Sequence, residues 1–470
     1  MLILCHIIYS TKTSQKPRHV MMDLNRTQQR LLASLSIGPR GAKDLLRELT
    51  ISQPTLSRLT STLGEHVVTL GRARATLYAR PRIIRDVASR FPVFRIDETG
   101  NAHRIGTLQA IQDSQYWWEP VAGKSTMFKF LPWFIQDMRP DGFAGRAFAH
   151  RQHLDLRIPP RLQDWNMDDV LVALARRGED CMGNLVVGEE SLVRYLRLAR
   201  EAALPIKSEE IYSEYPRMAR KAMAGDPAGS SAGGEQPKFA AVIEDGHIQH
   251  VLVKFSQATN TPEGERWADL LVCEHLALEI IREAGFNAAQ SRILQLENRT
   301  FLEVHRFDRS GRFGRLPMNS LGVIDDEFFG RRDNWIAMAN RLESTKMVSP
   351  TDASTLRWLS VFGDLIANTD QHFGNVTLVP RELNCKVFIL APAYDVLPMY
   401  YRPKDGEPTF PEFNSQVPAI SSEWVNAHRY ALLFWERASA DLRISERFRG
   451  ICSANRIALE MIGEGPRLVS

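Results

Sequence analysis

Apolar and polar positions alternate in two distinct rhythms along the chain. Thr27 to Leu35 places Leu31, Leu32 and Leu35 at helical spacing, and Gly41 to Leu49 does the same with Leu45, Leu46 and Leu49, so each predicts an amphipathic helix. Ser52-Gln53-Pro54 opens a third, with Ser as N-cap and Pro in the first turn. Its Leu56, Leu59 and Leu63 fall at i, i+3 and i+7, which leaves Gln53, Thr55, Ser57, Arg58 and Ser61 on or near the exposed face. Val67 to Leu70 and Thr76 to Ala79 read as strands around Gly71-Arg72-Ala73-Arg74, a β-hairpin with two arginines at its tip. Arg82 to Arg95 is expected to form a helix and linker, and Asp97 to Asn101 a turn into the next part.

Further on, Phe239 to Ile243 alternates as a strand, turns at Asp245-Gly246, and is followed by a second strand, His250 to Lys254. A helix from Glu265 to Ala284 carries Leu271, His275, Leu278 and Ile281 on one face. Lys386 to Leu390 reads as a short buried strand, as does Gly183 to Val187. The aromatic clusters Trp117-Trp118 and Phe128 to Phe134 are assigned to core packing. From about residue 410 the pattern is helical, with Trp424, Leu432, Leu433 and Trp435 as core candidates.

Three helices followed by a basic hairpin resemble a winged helix-turn-helix. Short polar side chains and one Arg on the third helix suit base edges in a major groove, and Arg72 and Arg74 suit phosphates. Charge agrees with this division: residues 1–90 hold 15 Lys and Arg against 5 Asp and Glu, although the whole chain is only +4. A basic module on a mildly acidic remainder is the footprint of a DNA-binding domain attached to something else.

The chemistry is concentrated later. In Asn368-Thr369-Asp370-Gln371-His372-Phe373-Gly374-Asn375, an Asp precedes an Asn by five positions. Asp395 follows the apolar run Lys386 to Leu390. Phosphoryl transfer from Mg-ATP needs such a set: a carboxylate for the acceptor hydroxyl and two oxygen ligands for the metal. Taken alone, the loop could equally be a turn capped by Asp and Asn, with His372 a satisfied polar residue. Upstream, Asp226 to Lys238 is rich in small residues that let backbone N–H groups approach phosphates. Lys254 ends a strand as a nucleotide lysine would, and Glu274 is placed to pair with it.

These motifs resemble the HipA-like serine/threonine kinases of bacterial toxin-antitoxin systems. The resemblance rests on Ser231-Ala232-Gly233-Gly234-Glu235-Gln236-Pro237-Lys238, Val253-Lys254, Arg306-Phe307-Asp308-Arg309, Asn368 to Asn375, and Leu390-Ala391-Pro392-Ala393-Tyr394-Asp395. With its own DNA-binding module the chain resembles the fused, YjjJ-type branch of that family. The resemblance implies an α+β chain: a winged helix-turn-helix, then a bilobal kinase-like fold with a mostly helical C-terminal lobe. Gly233, Gly234, Gln236, Lys238 and Lys254 would contact the nucleotide phosphates, His305, Arg306 and Phe307 would line the adenine, and His372 would stand among the nucleotide contacts. Asp370 would be the catalytic base, with Asn375 and Asp395 holding Mg²⁺, and Ser231 or Ser230 would be autophosphorylated. His305 stands where some members carry Glu, and Glu235 places a negative charge beside the phosphates.

The implied cofactors are ATP and Mg²⁺. The implied partners are DNA (the chain's own operator), a protein substrate such as an aminoacyl-tRNA synthetase or another translation protein, and a HipB-like antitoxin. A palindromic operator would require a homodimer. Two other classes share parts of the pattern: a nucleotide-binding transcription regulator with an inactive kinase-like domain, and a small-molecule phosphotransferase. Retention of Lys254, Asp370, Asn375 and Asp395 argues against the first, and the Ser231 loop and Arg306–Arg309 motif against the second.

At 470 residues, 44% apolar and 24% charged, the chain has the composition of a globular protein of two to four domains. The expected divisions are 1–22 as an extension or misassigned start, 23–82 as the DNA-binding domain, 83–104 as linker, 105–310 as N-terminal lobe and 311–470 as C-terminal lobe. Its five cysteines are scattered without CxxC spacing, which points to neither disulfides nor zinc and to a bacterial cytosol. Met1 to Tyr9 is apolar but far too short to span a bilayer, and no membrane partner is expected.

Overall fold

The computed structural model describes residues 24–71, 76–201, 204–224, 236–381, 386–404 and 423–462. It is a mixed α/β chain that divides into two compact units, residues 1–82 with 111–113, and the remainder.

In the first unit, the helix Arg26–Ser36 starts at a capping box: Asn25 accepts from the Gln28 N–H while the Gln28 side chain accepts from the Asn25 N–H. Ala42–Leu49 ends at Thr50, whose φ of 57° is left-handed and whose N–H returns to Leu46. Gln53–Leu63 is capped by Ser52 and buries Leu56, Leu59 and Leu63 against Leu31, Leu35, Leu45 and Leu49. Gln53, Ser57, Arg58 and Ser61 are exposed, whereas Thr55 is half-buried, its hydroxyl 2.9 Å from that of Ser52. Val68–Leu70 and Leu77–Ala79 pair antiparallel, and Arg40–Gly41 adds a third strand beside Leu77–Ala79. Arg72 and Arg74 lie outside the described residues.

The expectations of a helix and linker over Arg82 to Arg95, and of a linker over 83–104, are corrected in the second unit. Arg90–Ile96 is an inner strand of a five-stranded sheet, between Ala102–Ile111 and Leu185–Val187, with Gln115–Pro120 and Thr126–Phe128 beyond. Phe91, Val93 and Ile96 are buried, and Pro92 had obscured that alternation. Asp97 to Asn101 is the turn of this hairpin, its Asp97 carboxylate accepting from the N–H groups of Thr99 and Asn101.

A second five-stranded sheet runs in the order Ser291–Leu296, Arg299–His305, His247–Phe255, Lys238–Asp245, Ile206–Lys207. Against it lies the helix Pro262–Glu283, started by Thr261 as N-cap with Pro262 in the first turn. Nearly every residue from Gly264 to Ile281 is buried, so the single apolar face expected there is instead a helix enclosed all round.

The C-terminal part is mostly helical: Leu321–Phe328, Trp335–Ser344, Pro350–Leu365, Trp424–Ala440 and Glu446–Ile462. Trp358, Phe362, Phe434 and Trp435 fill its core, while Leu432 and Leu433 are only partly buried. The expected strand at 386–390 is shorter, Phe388–Leu390, and pairs antiparallel with Thr377–Pro380. Among the described residues no helix is long and apolar enough to cross a membrane.

Candidate active site

Lys254 and Lys238 are direct partners in the antiparallel ladder and therefore share one face of their sheet. The Pro262–Glu283 helix presents Glu274 to that face, and Lys254 Nζ donates to Glu274 Oε1 at 2.7 Å and Oε2 at 2.8 Å. The same ammonium donates to Asp395 Oδ1. Burial drives the Lys254 amine down, Glu274 pulls it up, and the charges of Lys238 and Asp370 act on it in opposite directions.

Asp395 adopts a left-handed φ of 55°, a conformation that costs energy in a non-glycine residue and is concentrated at functional sites. Its segment is fixed by main-chain bonds on both sides of Ala393, from the Ala393 N–H to Asn287 O and from the Ala289 N–H to Ala393 O, each 2.9 Å. Tyr394 donates to Gly374 O at 2.9 Å and stands 2.8 Å from the Thr377 hydroxyl. Its ring lies 5.7 Å from that of Phe307.

The loop after Pro350–Leu365 is organised by its own side chains. Asn368 Oδ1 accepts from the Asp370 N–H at 3.0 Å, and Asn375 Nδ2 donates to Asp370 O at 2.9 Å and lies 3.5 Å from Asp370 Oδ2. His372 Nδ1 accepts from the Gly374 N–H, and its Nε2 lies 3.7 Å from Asp370 Oδ2. Trp335 Nε1 donates to His372 O at 3.2 Å. The Asp370 side chain keeps 39% of its surface exposed, as a group that must meet an outside molecule would.

The segment expected at the adenine is more committed than its sequence suggests. The N–H groups of His305 and Arg306 are donated to Gln290 O and His250 O, both at 2.9 Å. The Arg306 guanidinium bonds both oxygens of Asp308, so this side chain is tied into the fold. Asp308 also binds Arg309 at 2.6 Å and the Gly183 N–H at 3.0 Å, while Arg309 reaches Asp180 at 3.1 Å. Burial would raise the Asp308 carboxyl, but Arg306 and Arg309 hold it well below the usual carboxylate range. The Gln236 amide is also engaged, donating to Phe255 O at 3.0 Å. Ser230, Ser231, Gly233 and Gly234 lie outside the described residues.

The structure thus brings Lys238, Lys254, Glu274, Asp370 and Asp395 to one place, with Asn375 bonded to Asp370. The supporting contacts of Trp335, Thr377 and Tyr394 were not anticipated. Only Tyr394 carried a signal, as the residue before the second Asp.

Comparison with known proteins agrees with the motifs. Residues 87–196 match the YjjJ-like toxin middle domain, and residues 230–460 match the HipA-like C-terminal domain. Toxin YjjJ of Escherichia coli (strain K12) is 37% identical over 421 residues, covering 88% of this chain and 93% of that protein. Among solved structures, HipA from the Shewanella oneidensis MR-1 complex of HipA, HipB and operator DNA is 14% identical at a TM-score of 0.46, covering 78% of this chain and 95% of that one. The Helicobacter pylori proinflammatory kinase CtkA is 12% identical at a TM-score of 0.34, covering 48% and 90%. Likenesses of that size add nothing to what the sequence relative establishes. On the identity and coverage shared with Toxin YjjJ, together with the two matched domains, this chain belongs to the YjjJ-type branch of the HipA-like toxins.

Proposed function

We propose that the chain is an ATP- and Mg²⁺-dependent serine/threonine protein kinase of HipA type that carries its own DNA-binding domain. One observation carries the reading: Lys254 Nζ is bonded to Glu274 and Asp395 at the same time. In kinases a strand lysine held by a helix glutamate contacts phosphates, and an Asp beside it holds metal. Here Asp370 would accept or orient the acceptor hydroxyl proton, while Lys254 and Lys238 would bind phosphate oxygens. Asn375 commits its amide nitrogen to Asp370 O, which turns its carbonyl oxygen the other way as a candidate ligand.

The residues fit magnesium. Among the described residues no cluster of three or more His, Cys, Asp and Glu could hold a metal, but Mg²⁺ takes one or two protein oxygens together with phosphates and water. Asp395 already faces a cation, and Asn375 would supply the second oxygen. The metal, when bound, neutralises charge on the transferring phosphoryl group.

For the first unit, helix Gln53–Leu63 would read bases with Gln53, Ser57 and Arg58, and Arg72 and Arg74 would meet phosphates as the wing of a winged helix-turn-helix. The exposed polar row over a buried leucine stripe supports this reading. Operator DNA, a translation protein as acceptor and a HipB-like antitoxin are the partners it implies, with Ser230 or Ser231 as a self-modification site.

The deciding experiment is mass spectrometry and ADP release after incubation of the purified chain with Mg-ATP, beside Asp370→Ala. ADP from the parent and at least 10²-fold less from the variant, with ATP binding retained, is the expected result. Equal turnover by the two would overturn the assignment of Asp370.

A further inference from the structure

Between Asp370 and His372 lies a side chain to which no role has been given. Gln371 Nε2 donates to Asp364 Oδ1 at 2.6 Å and to Ser360 O at 3.1 Å, and Gln371 Oε1 accepts from Ser360 Oγ at 2.9 Å. Both ends of the amide are therefore spent on one helix, Pro350–Leu365, the helix that leads into the loop. Gly363 makes room for the crossing: a Cβ there would lie 2.9 Å from Gln371 Nε2, closer than side chains tolerate. Glycine costs up to about 1 kcal/mol in a helix interior, so the bare surface has a packing reason. Across the loop, Trp335 Nε1 holds the next carbonyl, that of His372. The backbone is thus gripped immediately after Asp370, and Asp370 itself is held mainly through its own N–H and C=O.

We propose that Gln371 is a positioning residue: by clamping the loop to Asp364 and Ser360 it sets the direction in which Asp370 meets the acceptor. The inference rests on the kinase reading. The clamp's bonds run to Asp364 and Ser360 and to none of Lys238, Lys254, Asn375 and Asp395, so its loss is expected to act on turnover and to spare nucleotide affinity. A displacement of about 1 Å at a reacting group can cost on the order of 10²-fold in rate.

The test uses the full chain, with ADP release from Mg-ATP as readout and the KM for ATP measured alongside. Gln371→Met keeps the length and removes every hydrogen bond, and is expected to lower kcat about 10- to 100-fold with KM for ATP changed less than about 2-fold. Gln371→Glu sets a carboxylate against Asp364 and is expected to lose as much. Combining it with Asp364→Asn lets an amide at 364 donate to the new carboxylate while the bond to Ser360 O stays lost, and is expected to recover part of kcat. The pair of charge-altering variants also settles the matter should Gln371→Met fail to fold. Parent-like kcat in Gln371→Met, or no recovery in the double variant, overturns the inference while leaving the kinase reading standing. A parent that releases no ADP removes that reading, and the inference with it.

Discussion

Tyr394 donates its hydroxyl to the carbonyl of Gly374 at 2.9 Å, so the residue before one candidate metal ligand is bonded to the residue before the other. Burial pushes the phenol up to about 12, which keeps it protonated and able to donate. Thr377 then donates to the Tyr394 oxygen at 2.8 Å. This bond fixes the spacing of Asn375 and Asp395 without either having to be rigid alone.

Tyr394→Phe should therefore cost more in metal use than in stability. The fold loses one hydrogen bond, about 1 kcal/mol, whereas the Mg²⁺ concentration giving half-maximal ADP release should rise about 10-fold. A magnesium titration of parent and variant checks this, and an unchanged midpoint with a lowered melting temperature would reduce Tyr394 to a structural role.

Lys254 presents a competition. Its ammonium is shared between Glu274, which is fully enclosed, and Asp395, which is not. A metal at Asp395 would draw that carboxylate from Lys254, and Glu274 would remain to hold the lysine. In Glu274→Gln the lysine keeps Asp395 as its sole carboxylate partner among those bonds, so the KM for Mg-ATP should rise about 10-fold or more, with about 1–3 kcal/mol lost in stability. Nucleotide titration and denaturant unfolding measure the two effects separately. A parent-like KM would mean that the Lys254–Glu274 pair is not part of the nucleotide site.

How far the sequence exposed this site depended on whether a contact is local or carried by a motif. The Lys254–Glu274 pair could be anticipated from the order of strand and helix, and the leucine stripe of Gln53–Leu63 from spacing alone. Arg306 has a partner two positions on, Asp308, but the burial of that aspartate is completed by Gly183 and, through Arg309, Asp180, partners 125 and 129 positions away. No local periodicity encodes such a contact. The strand Arg90–Ile96 was missed for another reason: Pro92 and two arginines interrupt its apolar pattern, while the sheet supplies pairing on both edges.

Arg58 tests the DNA-binding reading without disturbing the fold, since it is exposed on a helix whose leucines carry the packing. Arg58→Ala should leave the melting temperature within about 1 °C and reduce discrimination at one base pair by about 1–3 kcal/mol. Leu56→Ala, from the buried stripe, should instead destabilise the unit by about 2–5 kcal/mol. Fluorescence anisotropy on a panel of operator-region oligonucleotides at two salt concentrations reads the first effect. Identical preference in parent and Arg58→Ala would remove that residue from base reading.

Asp269 gives the fold a pH dependence with a definite sign. Its carboxylate is buried in the Pro262–Glu283 helix, where it accepts from the Ser445 N–H and hydroxyl, both at 2.7 Å. Burial pushes it up to about 6, with Ser445 and Arg266 pulling the other way, against 3.8 for an ordinary aspartate. Between those values the folded chain holds a proton that the unfolded chain has released. The contribution to stability is therefore complete below about pH 4 and is lost as pH rises through 6, with a ceiling of about 3 kcal/mol. Asp269→Asn cannot titrate there. The stability of the variant relative to the parent should fall as pH drops from 7 to 5, because only the parent gains from protonation. Denaturant midpoints of the two chains across that range decide it: a difference that stays constant with pH would mean that Asp269 keeps its ordinary pKa and that Ser445 and Arg266 offset its burial.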